Sequence, residues 1–389
     1  MPIGFLAFVL ALPMIALFME FYVDHALEKE LKIRLRPVRR REIEEVHGTV
    51  RELGFLLGQD RPSPPPLPSK HSFLKEELSA HQRKFLNIVL GPRYAEYNAV
   101  QQQQLSRVPI EENGEELVSV PQTFQERGCV AEFSEIKFHE ACDGWAGKQR
   151  VMCLRKEVAH RVASVCKALN RVDYIMRVED CWRPPEVQEG LLLRRIIQIA
   201  FENPDWRPEK VQTVATSLTA PRPGLAGHQA GAAIDWTLRN FSYRRPFEPN
   251  LGNEYAEGGA ISSLDFPYLT FQQWKTRTLF EQSMRLGGFK LLRTEDWHGS
   301  YLDRGMGIDG IPMEKALYGP LQSFDVVSGT VEAYKPEDTE KDYISIEEVR
   351  HLVLTTYALK MRLKKKTSIE VLRTILPIFR QHFRQVQKK

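Results

Sequence analysis

The chain lacks a Cys-x-x-Cys pair, a basic leader ahead of its one long apolar run, and any large excess of charge of one sign. The first absence bears on metals and redox chemistry. The five cysteines, Cys129, Cys142, Cys153, Cys166 and Cys181, show neither zinc-ribbon spacing nor an even count. Free thiols in a reducing compartment fit that pattern, with one or two disulfides plus a free thiol as the alternative. A secretory signal needs a basic leader and a small-x-small cleavage site; neither is evident, and no such signal is expected. A net charge of +4 on 389 residues excludes a polyelectrolyte, and 42% hydrophobic with 27% charged residues excludes wholesale disorder. The charge is uneven, however. From Lys360 to Lys389 ten Lys/Arg stand against the single acid Glu370, so the remainder is net negative by about five. No nucleic-acid partner is expected for the body of the chain.

What is present begins with Ile3–Met19, seventeen residues without a charge, followed by Glu20 and the aromatics Phe21 and Tyr22. That length is at the lower end of what spans a bilayer. Residues 1–23 are therefore expected to form a membrane-anchor helix, with a buried or interfacial apolar helix as the alternative because Pro13 interrupts the run. The positive charges follow it, at Lys29, Lys32, Arg34, Arg36, Arg39, Arg40 and Arg41, which expects a membrane-anchored protein with its main domain cytoplasmic. A periplasmic or extracellular location is the alternative.

Residues 24–60 read as helix with alternating charge. Arg61–Ser69 then carries five prolines in nine residues, a stiff extended spacer that ends a 24–70 unit. The extension at 71–120 shows a helical stretch near Phe73–Leu90 and a polar run Gln101–Gln104, with no chemistry attached. From 121 to 335 helix and strand signals alternate. Leu154, Val158, Val162 and Val165 recur about once per turn, which predicts an amphipathic helix over Leu154–Leu169. Tyr174–Val178 suits a strand that delivers the chain to Asp180-Cys181-Trp182-Arg183-Pro184-Pro185-Glu186-Val187-Gln188. The two prolines force extended backbone at Arg183, just before a helix. Phe271–Leu286 reads as a helix stopped by Gly287-Gly288, with a strand at Phe289–Leu292.

Two short motifs carry the chemistry. In Gly227-His228-Gln229-Ala230-Gly231-Ala232-Ala233-Ile234-Asp235-Trp236 the large residues Ile234, Trp236 and Leu238 alternate with Ala233, Asp235 and Thr237. Period two predicts a strand with Asp235 on the face opposite the apolar side chains. Downstream lies Glu295-Asp296-Trp297-His298, where Glu295 and His298 can face one point only if the chain turns between them. Two imidazoles and two carboxylates make the inventory of a zinc hydrolase: three ligands, an open fourth position, and a carboxylate to take a proton from water. Taken singly, each motif is better read structurally, His228 and Asp235 as a loop histidine and a solvent-facing carboxylate, Glu295 and His298 as a surface carboxylate and an aromatic-packed histidine.

Together, in this order, the motifs resemble those of the zinc D-alanyl-D-alanine dipeptidases of the vancomycin-resistance type. That family falls within the zinc D,D-peptidases that share Ser-x-His-x-x-Gly-x-Ala-x-Asp and Glu-x-Trp-His. The match covers about residues 150–305, and Arg183-Pro184-Pro185-Glu186-Val187-Gln188 favours the dipeptidase branch. The resemblance implies that His228, Asp235 and His298 bind one Zn2+, that Glu295 is the general base and that Arg183 stabilises the oxyanion. Ala226 stands where the motif has serine, so any substrate contact of that hydroxyl is missing. A dipeptidase must also place a carboxylate against the substrate ammonium. Glu257, on the long connection between Arg239 and Pro267, is the candidate.

The expected fold is α+β, a small mostly antiparallel sheet flanked by helices, with the N-terminal membrane-anchor helix and a C-terminal helical tail. In residues 340–389, Ser345–Glu348 and Thr367–Glu370 look like capping boxes that open two basic helices. These helices either lie against anionic lipid or present a solvated face. The expected substrate is D-Ala-D-Ala or a peptidoglycan precursor ending in it. The alternatives are a peptidoglycan carboxypeptidase or endopeptidase acting outside the membrane, and a non-catalytic zinc-containing binding module.

Overall fold

The computed structural model describes residues 28–387 apart from 30, 61–62, 65–66, 69–71, 241–249, 311–312, 326–327, 329 and 363–366. In chain order its strands and helices are β1 (Leu35–Pro37), α1 (Arg40–Leu56), β2 (Ser72–Leu74), α2 (Ala80–Leu105), β3 (Leu117–Ser119), α3 (Val120–Glu126), β4 (Ala131–Phe133), β5 (Cys153–Arg155), α4 (Lys156–Arg171), β6 (Tyr174–Asp180), α5 (Pro185–Glu202), α6 (Pro208–Leu218), β7 (Ala233–Asn240), α7 (Phe271–Leu286), β8 (Lys290–Leu291), β9 (His298–Ser300), β10 (Leu321–Phe324), β11 (Val331–Ala333), α8 (Ile346–Arg362) and α9 (Ser368–Gln387).

The architecture is α+β, and its centre is a five-stranded sheet of order β4-β6-β7-β9-β8. That sheet is mixed, which corrects the expected fold at the β4 edge. β4 runs parallel to β6 while the other pairs are antiparallel. Parallel pairing needs a crossover, and α4 supplies it between the two strands. Three further two-stranded sheets stand apart from the centre: β1-β2, β3-β5 and β10-β11. The expected anchor helix lies outside the described residues. Among the described residues no helix is long and apolar enough to cross a membrane, and Ile3–Met19 lies outside them. The longest described helix, α2, is interrupted by His81, Arg83, Lys84, Arg93 and Glu96.

The period-two pattern of β7 determines how the sheet is covered. Ile234, Trp236 and Leu238 are buried on one face, where Trp236 stacks on Phe280 of α7 at 4.1 Å between ring centroids. On the same side α4 buries Val158, Val162, Val165 and Leu169, the i, i+4, i+7 stripe that its sequence predicted. The helix begins at Lys156 rather than Leu154, because Cys153–Arg155 pairs with β3 instead. Val46, Val50 and Leu53 of α1, Phe73 and Leu86 join this core, so residues well before position 121 share it.

α2 differs most from the sequence expectation. It starts at the Ser79/Gln82 capping box, where Gln82 N donates to Ser79 Oγ at 3.3 Å and Ser79 N to Gln82 Oε1 at 2.8 Å. It then runs through the polar glutamines. Asn98 and Gln102 explain why, since their amides donate to the carbonyls of Ser217 and Thr216 at the end of α6. A second apolar core joins α5, α6, α8 and α9 through Ile196, Val211, Leu352, Val353, Val371 and Ile375. Both C-terminal capping boxes form, with Ser345 N donating to Glu348 Oε2 at 2.7 Å and Thr367 N to Glu370 Oε2 at 2.9 Å. The apolar face of α9 is thus buried against protein. Its basic side chains beyond Phe379 lie outside the described residues.

α5 comes close to the turn at Ala141–Cys142, and Gly190 permits the approach. A Cβ at Gly190 would stand 2.5 Å from Ala141 O and 2.8 Å from Cys142 Cα, both backbone atoms that cannot rotate away. Gly190→Ala is therefore expected to lower stability by about 1–3 kcal/mol through overpacking, despite the better helix propensity of alanine. Urea unfolding checks it; an unchanged or raised midpoint contradicts the packing argument.

Candidate metal centre

β7 and β9 are antiparallel neighbours in which Asp235 sits directly opposite His298, so their side chains rise from the same face. The chain reaches β9 through the turn expected from the Glu295–His298 spacing, closed by Glu295 N to Leu292 O at 3.0 Å and His298 N to Glu295 O at 3.2 Å. His228 comes from the compact turn before β7, in which Gln229 N donates to Ala226 O at 3.0 Å and Gly231 N to His228 O at 3.1 Å. Gly231 closes that turn at φ +69°, and a Cβ there would meet Leu117 Cδ2 at 2.5 Å. On the other side of β7 a bulge in β6 after Val178 turns Asp180 opposite Asp235.

Three donor atoms converge. His228 Nε2 lies 3.0 Å from Asp235 Oδ1 and 3.2 Å from His298 Nδ1, and His298 Nδ1 lies 2.9 Å from the same Oδ1. A metal ion held tetrahedrally at about 2.1 Å spaces its donors about 3.4 Å apart, so the triangle is only slightly tight. Proton bookkeeping supports the fit. His228 Nδ1 faces the carbonyl of Cys181 at 2.7 Å, a group that only accepts, so Nδ1 carries the hydrogen. In the neutral imidazole Nε2 is then a bare lone pair aimed at a carboxylate oxygen. A cation between them removes that repulsion. His228, Asp235 and His298 thus form a group that can hold a metal ion.

The electrostatics of His228 and Asp235 agree. Burial, aided by the charge of Arg183, lowers the pKa of His228 and favours the neutral ligand form. Asp235 is buried, which alone would raise its pKa, yet its contacts with the His228 and His298 imidazoles and the charge of the Arg183 guanidinium hold it well below the usual range. Burial also works against protonation of His298, but its hydrogen bond to Asp235 and the charges of Asp235, Glu295 and Asp303 together raise its pKa. His298 Nε2 is 3.3 Å from Ser300 Oγ, leaving Nδ1 as the ring nitrogen that faces the triangle.

Glu295 stands beside the triangle and not in it. Burial raises its carboxyl pKa, with His298 and Arg183 pulling it down and Asp235 pushing it up. Arg183 is held in place, its Nε donating to Asp180 Oδ2 at 2.8 Å and an Nη to Asp235 Oδ2 at 3.0 Å. Trp297 is buried and packs its edge against the Tyr255 ring at 5.7 Å. Glu257 is placed elsewhere: it lies at the surface, where its carboxylate accepts from Glu254 N at 3.0 Å and pairs with Arg83 at 3.5 Å.

Sequence reasoning missed Asp180, Arg150 and Tyr255. Arg150 donates to the Glu179 carbonyl at 2.7 Å and to Tyr255 Oη at 3.0 Å, and pairs with Asp180 at 3.3 Å. Tyr255 donates to Asp235 Oδ2 at 2.9 Å. Asp180 was within the quoted Arg183 stretch, and its bulge has no sequence signal. Tyr255 lies in a polar connection where nothing local marks it. No protein-family model matches the chain, and no curated protein matches it.

The purified chain is expected to bind one metal ion, and His228→Ala and His298→Ala each to lose it after exhaustive dialysis. Elemental analysis decides this: undiminished metal in both variants rules the centre out.

Proposed function

We propose that this chain is a zinc-dependent peptidase that hydrolyses a D-Ala-D-Ala-type peptide bond, in the dipeptide itself or at the end of a peptidoglycan precursor. The observation that carries the reading is the convergence of three lone-pair donors, His228 Nε2, Asp235 Oδ1 and His298 Nδ1, with Glu295 and Arg183 beside them. Two nitrogens and one carboxylate oxygen with a further position open are the donor set of a catalytic zinc site. The substrate class is taken from the resemblance of the two motifs and the Arg183 stretch to the zinc D,D-peptidases.

A zinc ion bound there supplies Lewis acidity, acidifying water and polarising the scissile carbonyl. The other steps belong to the chain. Burial raises the carboxyl pKa of Glu295, a condition that suits proton transfer near neutral pH. Glu295 takes a proton from water as its oxygen bonds to the carbonyl carbon, then delivers it to the amine nitrogen as the C–N bond breaks. Arg183 supplies positive charge where the carbonyl oxygen becomes anionic. It is rigidly oriented for this, since Asp180 and Asp235 hold its Nε and one Nη.

A second reading within the same chemistry rests on the placement of Glu257. A free dipeptide brings an ammonium that needs a carboxylate partner, and Glu257 is engaged at the surface by Glu254 N and Arg83. A D,D-carboxypeptidase acts on an acylated nitrogen and needs no such partner. Comparing kcat/KM for D-Ala-D-Ala and its N-acylated form separates the two, and turnover of neither by the zinc-loaded chain contradicts the proposal.

Glu295→Gln is expected to lower kcat about 10²- to 10⁴-fold with zinc content retained. Arg183→Lys keeps the charge but not the planar fork. It is expected to lower kcat by about 10²-fold while KM changes little, the signature of an interaction made mainly in the transition state. Steady-state kinetics alongside metal analysis reads both, and parental rates in both variants contradict the assigned roles.

A further inference from the structure

The long connection between β7 and α7 does more than join two elements. Its described part, from residue 250, is pinned by one buried guanidinium. Arg277 of α7 donates to the carbonyls of Leu251, Ile261 and Ser263 and to Asn253 Oδ1. Asn253 in turn donates to Asp296 Oδ1 at 3.1 Å, tying the connection to the turn that carries Glu295 and His298. Between these anchors the segment brings Tyr255 to the metal centre.

The two oxygens of Asp235 are divided between different partners. Oδ1 faces both imidazole nitrogens, at 3.0 and 2.9 Å. Oδ2 faces away from them and accepts from Arg183 at 3.0 Å and from the Tyr255 hydroxyl at 2.9 Å. The direction of the Tyr255 proton follows from its other neighbour. Arg150 can only donate, and it does so into the phenol oxygen at 3.0 Å, so the single hydroxyl proton goes to Asp235. The ring is fixed on two sides, by the edge contact with Trp297 at 5.7 Å and by the Arg150 guanidinium 5.4 Å from its centroid.

We propose that Tyr255 is a positioning residue of the metal centre, which by saturating Oδ2 together with Arg183 leaves Asp235 a single oxygen to offer the metal. This rests on the metal reading given above. A carboxylate with both oxygens free can fill two coordination positions. One with its outer oxygen held by two donors fills one, and a position remains for water. Hydrogen bonds to the outer oxygen also orient the ligand, and loss of such a partner typically costs 10- to 100-fold in metal affinity.

The test uses the full chain loaded with Zn2+ for affinity and with Co2+ for spectroscopy. Tyr255→Phe keeps the ring and its edge contact with Trp297 and removes only the hydroxyl. It is expected to bind Zn2+ about 10- to 100-fold more weakly. Its visible cobalt bands are expected to lose intensity as a four-coordinate site gives way to a five-coordinate one, since geometry is diagnostic of the donor set. Parental affinity and an unchanged cobalt spectrum in Tyr255→Phe overturn the proposal. A parent chain that binds no cobalt overturns the metal centre itself, an outcome distinguishable from an unchanged variant.

Discussion

Asp235 is buried, ionised and shared. Its Oδ1 meets the two imidazoles and its Oδ2 meets Arg183 and Tyr255. A carboxylate kept charged inside a protein costs several kcal/mol unless it is surrounded by donors or cations. The elements around it can be understood as the means of surrounding it. β6 brings Asp180 and, beyond it, Arg183; β9 brings His298; the turn before β7 brings His228; the connection after β7 brings Tyr255.

These partners also hold one another. Asp180 accepts from Arg183 and pairs with Arg150, and Arg150 donates to Tyr255, so two arginines and two aspartates alternate around the phenol. Alternation of sign lets each buried charge offset the next, which isolated pairs rarely achieve. Removing one member therefore disturbs the others. The His228 turn is clamped separately: Trp182 Nε1 and Leu321 N both donate to the Gln229 carbonyl, at 3.1 and 3.0 Å, and Tyr343 bonds to the Gln229 side chain. Through Tyr343 the segment leading into the C-terminal helices reaches the turn that carries a ligand, although the apolar core of those helices is distinct from that of the sheet.

Much of this was legible before the fold. The alternation of Ile234, Trp236 and Leu238 identified β7 and put Asp235 on its polar face. The apolar period found α4, with an error of two residues at its start, and α7 ends where Gly287-Gly288 stops it. Both C-terminal capping boxes form. The triad His228, Asp235 and His298 was named from motif order, and the structure brings those atoms together. The mixed pairing of β4, the extent of α2 and the surface position of Glu257 were not legible. Each depends on partners far along the chain: β6 for β4, the end of α6 for Asn98 and Gln102, Arg83 for Glu257.

The sequence by itself determined that α4 and α7 are helices and β7 a strand, and where the two C-terminal helices begin. Those properties come from interactions within one or two turns, or from side-chain alternation along one strand, and they leave a local signature. The tertiary structure alone decided that Asp180 is turned opposite Asp235, that Tyr255 reaches the ligand carboxylate while Glu257 lies at the surface, and that Arg183 is clamped by two carboxylates. Those outcomes follow from a bulge, from cross-strand register and from one buried guanidinium gathering several carbonyls. Most of these contacts join residues tens of positions apart, and no local pattern encodes their distances.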